Sequence, residues 1–228
     1  MTSRTNARLA GFTFLFYIAI GIAEMVLSSR ISSGPNTAAR LANIAQHLPQ
    51  MRLVTVLVML MIFCALVLAV TLYALTRDAD ADLALLAMTC RVAEGVTAIV
   101  PAIAKLGLLS LASAAANTTR QEAASVNELA SLLFRVGGWS TTVGATAFAV
   151  GSTIFAWLFL RARSIPLWLA WVGLAGSLLM VVILPLQGIG LITNAVMSIG
   201  WAPLFVFEVT LAFWLLIKGV TPRPVQQT

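Results

Sequence analysis

Three stretches of this chain, Leu53 to Thr76, Val136 to Leu160 and Ser164 to Phe207, contain no charged residue at all. A helix that crosses the hydrocarbon core of a bilayer needs about 20 apolar residues, so the first two are each one span and the third holds two. The solvent such runs call for is lipid. Composition agrees, with 60% hydrophobic and 10% charged residues and a mean hydropathy of +0.97, values that belong to a membrane protein.

Adding the remaining apolar runs predicts an all-α fold, a polytopic helix bundle in one transmembrane domain. Its six spans are Leu9–Leu27, Leu53–Leu75, Leu83–Ala112, Leu129–Leu160, Ile165–Gln187 and Val196–Lys218. The third and fourth exceed what a bilayer requires and imply tilt or protrusion. The basic start and first apolar run also describe a secretion signal, but the run is long, carries Glu24 and lacks an A-x-A-like site. An uncleaved first helix is expected. In the first loop, turn formers precede Leu41, Ile44, Ala45 and Leu48, whose spacing predicts a short amphipathic surface helix capped by Asn36 or Thr37. "TRDADAD" reads as a solvated link, and "SAAANTTRQEAASVNE" is the most loop-like segment.

The net charge of +6 could indicate nucleic acid, but the basic residues form no patch and cluster at the ends of apolar runs. They report topology instead. With the N-terminus inside, Arg4, Arg8, Arg77, Arg161, Arg163, Lys218 and Arg223 lie inside and Arg30, Arg40, Arg52 and Arg120 outside, seven against four. Both termini are therefore expected in the cytoplasm. Cys64 and Cys90 fall within spans and read as free, buried thiols. The sole histidine, His47, reads as a surface loop residue, and no HExxH, P-loop, GxSxG or dinucleotide motif occurs. No metal or cofactor is implied, and no residue is singled out as catalytic.

Helix four carries Gly137, Gly144 and Gly151 at seven-residue spacing, with Thr141 and Ala145 beside them. A seam of small side chains allows close helix approach. Packing within the bundle is its first reading and a homo-oligomer its second. Gly173 and Ser177 repeat the theme weakly in helix five.

Six charges remain inside spans: Arg91, Lys105 and Arg135 against Glu24, Glu94 and Glu208. At about 100° per residue, Arg91, Glu94 and Lys105 share one side of the third helix, provided Pro101 does not rotate its outer half. At 1.5 Å rise per residue, Arg91, Glu94 and Glu208 fall roughly 12, 17 and 15 Å deep. They share a layer near the membrane centre. Glu24 lies roughly 22 Å up the first helix, while Lys105 and Arg135 come near the outer boundary, where they can snorkel. Arg91 with Glu208 is the expected contact, with Glu94 sharing the site. A lone charge there is costly, so pairing is close to compulsory.

Taken in order, "ARLAGFTFLFYIAIGIAE", "LALLAMTCRVAEGV", "SIPLWLAWVGLAGSLLMVV" and "FEVTLAFWLLIKGV" resemble an uncharacterised family of bacterial integral membrane proteins, domain of unknown function 4386. The resemblance implies six membrane helices, a bacterial inner-membrane location, and family positions for Arg91 and Glu94 (R-x-x-E) and for Glu208. Relatives tend to carry an aspartate in helix two and a His-Asp pair entering helix four. Here those regions read "VLVMLMIFCALVLAV" and "LLFRVGGWS", without either. The family lends no established activity. Two functions follow from the residues: binding or transport of a small ion or molecule at the charge cluster, or a structural or accessory membrane component in which the cluster only docks helices. An intramembrane enzyme has the least support, for want of a nucleophile or metal set.

Overall fold

The computed structural model describes residues 2–114 and 122–220, with Asn194 and Ala195 described by backbone alone. Its eight helical segments are α1 (Ser3–Ile31), α2 (Thr37–Gln46), α3 (Leu48–Thr76), α4 (Ala81–Thr97), α5 (Ile99–Ala114), α6 (Glu122–Ala162), α7 (Leu167–Gly188) and α8 (Asn194–Ile217). There is no strand among the described residues. Among the described residues, six stretches are long and apolar enough to cross a membrane, α4 and α5 together making the third. Large apolar side chains such as Phe12, Phe63, Val70, Val143 and Val182 are more than half exposed. In water that surface would be a liability; in a bilayer it is the solvated face.

The third span is not one continuous helix. α4 ends at Thr97, and α5 begins at Ile99 with Pro101 in its first turn. Proline has no N–H for the carbonyl four residues back. Ser140 of α6 makes good the loss by donating its hydroxyl to the Thr97 carbonyl at 2.9 Å.

The chain forms two compact units, and α1, α3, α4 and α6 contribute residues to both. The first comprises Met1–Ile18, Cys64–Gly95 and Thr142–Thr228, and the second Ala19–Phe63 and Val96–Thr141. In the first, Phe14, Leu68, Phe155, Phe159, Leu169, Met180 and Leu211 form the core. Small residues bring its helices close: a Cβ on Gly11 would lie 2.6 Å from the Ala212 carbonyl oxygen, and one on Gly173 would run into the Phe207 ring. The α1–α8 and α7–α8 contacts are thus set by absent side chains. In the second unit, Ile31, Leu41, Ile44, Met51, Val54 and Leu108 form a smaller core.

One expectation is met here and two are corrected. The amphipathic helix exists, with Asn36 as its N-cap accepting from the Ala39 N–H at 2.9 Å. Its apolar face packs into its unit, with Leu41 and Ile44 in the core and the Arg40 guanidinium 3.6 Å from the Phe134 ring centroid, while Ala38, Ala42 and Gln46 stay exposed. Leu48 belongs not to it but to α3, after the C-cap His47, whose Nδ1 lies 2.9 Å from the Asn43 carbonyl. The loop-like segment before helix four is helical from Glu122. Its alanines and glutamates favour helix, and Glu122 in the first turn complements the helix dipole. Arg120 and Arg223, used in the charge count, lie outside the described residues.

The acidic link behaves as read. Asp80 accepts from the Leu83 N–H at 3.2 Å at the start of α4 and pairs with Arg161 at 2.9 Å.

Candidate functional site

The site lies in the first unit, where α1, α4, α6 and α8 supply its side chains. Arg91 of α4 is 1% exposed, and Glu94, one turn on, is 8% exposed. Their Nη1 and Oε2 atoms are 3.0 Å apart. That separation is within hydrogen-bond range, but the angle is not: none of the three guanidinium nitrogens makes an aligned hydrogen bond among the described residues. Charge rather than hydrogen bonding holds the pair. The other carboxylate oxygen of Glu94 accepts from the Tyr17 hydroxyl at 2.7 Å, which ties α1 to α4.

Aromatic faces complete the guanidinium's surroundings. The Phe148 centroid is 4.7 Å from its carbon, with Tyr17 at 5.9 Å and Phe14 at 6.0 Å. A desolvated cation within about 6 Å of a ring is attracted by the ring quadrupole, so these faces replace part of the lost hydration. Phe148 comes close because α6 does. A Cβ on Gly151 would lie 3.1 Å from the Ala87 carbonyl, 3.1 Å from Cβ of Cys90 and 3.5 Å from Cγ of Arg91. The glycine seam therefore packs inside the molecule here, as it does at Gly137, where an added Cβ would meet Cβ of Ala104 at 3.6 Å.

Glu208 enters from α8 and is 8% exposed. It interacts through charge with both Arg91 and Glu94. Yet it forms no hydrogen bond or ion pair among the described residues. The expected Arg91–Glu208 contact is thus replaced by Arg91–Glu94, because a partner three residues along the same helix is within reach without any adjustment of helix docking.

Lys105 sits in the second unit, and its ammonium lies 3.0 Å from Oε1 of Glu24 and 3.2 Å from the Ser28 hydroxyl. The expectation of snorkelling is replaced by this pairing, in which Glu24 neutralises it at 18% exposure. Arg135 is exposed on α6 and forms no ion pair among the described residues. Cys64 and Cys90 are free thiols, Cys64 buried and Cys90 partly so.

Tyr17 and Phe148 escaped the sequence reading. A signal for the first existed, because the chain has only two tyrosines and a hydroxyl placed mid-span needs a partner. Tyr17→Phe is expected to lose about 1.5–3 kcal/mol, the range for a hydrogen bond to a charged group. Thermal unfolding of the variant against the wild type measures it.

A multi-pass helical membrane protein with an ion cluster buried in one unit is the class these features define. The family model of the domain of unknown function DUF4386 matches residues 9–219, and the chain belongs to that family. No curated protein and no solved structure matched.

Proposed function

We propose that this membrane protein binds a small cation or a proton at the Arg91, Glu94 and Glu208 cluster, with Glu208 as the exchangeable group. One observation carries the reading: Glu208 is buried and unpaired among the described residues, while the guanidinium beside it is already matched by Glu94. One positive and two negative groups leave one negative charge over. A medium that penalises lone charge demands compensation, by a proton or by a bound cation. Binding at this layer is the first half of what a carrier does, and the family's absence of an assigned activity leaves the transported species to experiment.

The test is the infrared band of protonated carboxyl groups, followed through a pH titration of the full chain in lipid nanodiscs with and without sodium. The wild type is expected to show a titrating band that sodium or potassium perturbs, and Glu208→Gln to lack it. An identical band and cation response in both proteins would overturn the proposal.

A second reading is supported by Glu94, which receives both Tyr17 and Arg91 and so resembles a clip between α1 and α4. In that case Glu208→Gln would leave every property but charge unchanged.

A further inference from the structure

We propose that the start of α1 and the end of α8 form a binding site for an anionic phospholipid. A groove of about 620 Å³ is lined by Thr2, Arg4, Thr5, Arg8, Leu9, Phe12 and Leu216. Its composition is divided along its length. Arg4 and Arg8, one turn apart on α1, are exposed and form no ion pair among the described residues, and no carboxylate lines the groove. Thr2 and Thr5 add two hydroxyls at the same end, their oxygens 2.8 Å apart.

Below them the lining turns apolar. Leu9 and Leu216 continue it, followed by Phe12, which is 62% exposed and stacks on the exposed Phe16 with centroids 6.1 Å apart and planes 7° apart. Arg4, Arg8, Phe12 and Phe16 thus follow one another at four-residue steps, a stripe that winds slowly about the helix. From the first to the last is roughly 18 Å, the depth of a headgroup phosphate plus much of one leaflet's acyl chain.

Charge complementarity selects the occupant. Paired guanidiniums suit a phosphodiester, and the hydroxyls can donate to its oxygens. A soluble anion would leave the aromatic pair unused, and a neutral lipid would leave the arginines without a counterion. An anionic phospholipid uses both halves. The chain after α8 returns to α1: a Cβ on Gly219 would lie 3.8 Å from Cβ of Ala7. A lipid in the groove would touch both helices, through Leu9 and Leu216.

The test is lipid retention by the full-length protein, read by native mass spectrometry from mixed micelles holding equal phosphatidylglycerol and phosphatidylcholine. Wild type is expected to prefer phosphatidylglycerol by about thirtyfold, from roughly fivefold per arginine near an anionic lipid. Arg4→Gln with Arg8→Gln should abolish the preference, and Phe12→Ala should weaken retention of either lipid. Melting in phosphatidylcholine alone checks that the variants remain folded; a double variant that does not is replaced by the two single ones, each expected to lose about fivefold. A preference that survives loss of both arginines overturns the site. So does full displacement by millimolar inorganic phosphate, which would identify an anion site without a lipid requirement.

Discussion

Arg91→Ala will destabilise the protein by about 3–5 kcal/mol, the typical penalty for removing one partner of a buried ion pair. The variant loses the guanidinium of the cluster and leaves Glu94 and Glu208 buried without a cation, both 8% exposed. It also leaves a space beside Phe14, Tyr17 and Phe148, which the guanidinium now faces. Unfolding in mild detergent, followed by cysteine accessibility at Cys64 and Cys90, measures the loss. Replacing Arg91, Glu94 and Glu208 together by apolar residues of similar volume should recover most of the stability, because no charge is then stranded. If cation or proton binding is the cluster's purpose, that triple variant will be stable and inert. A clip alone would leave it stable and fully active.

The second large effect is expected at Gly11. A methyl group there would lie 2.6 Å from the Ala212 carbonyl oxygen and 2.9 Å from the Leu216 nitrogen, both backbone atoms that cannot swing aside. Gly11→Ala must therefore push α1 from α8, at about 1–3 kcal/mol for overpacking. Gly138→Ala is the matched control, since a methyl group at that position meets nothing within 4 Å. Alanine is the better helix former by about 1 kcal/mol, so this variant should melt at or above the wild-type temperature. Parallel melting curves of the two decide whether contact or propensity governs these helices. Equal behaviour would show that the α1–α8 approach contributes nothing.

The membrane spans were legible because lipid imposes a rule that can be checked along the chain: an unbroken apolar run of sufficient length. Leu53 to Thr76 could be little else. The break at Ala98 was harder, since "VTAIV" is apolar throughout and only Pro101 hinted at it. An angular count is valid only while the helix is, and it named no partner for Lys105, which pairs with Glu24. Depth estimates put Arg91, Glu94 and Glu208 in one layer, but a layer does not specify which faces of different helices meet. The i,i+3 spacing of Arg91 and Glu94 is itself legible in the sequence, and it is the spacing that the ion pair uses. Tyr17 and Phe148 were hidden for a different reason: aromatic residues are abundant in spans, and only packing reveals which rings face a cation.

Gly151 bears on how the site could be altered. A Cβ there would lie 3.1 Å from both the Ala87 carbonyl oxygen and Cβ of Cys90, so the wall beside the stem of Arg91 admits a larger residue only if α4 gives way by a few tenths of an ångström. Phe148, one turn away on the same helix, is the adjustable wall, because its ring is a removable group against the guanidinium. Attempts to widen or retune the cluster from α6 thus have an open entrance at Phe148 and a tight one at Gly151.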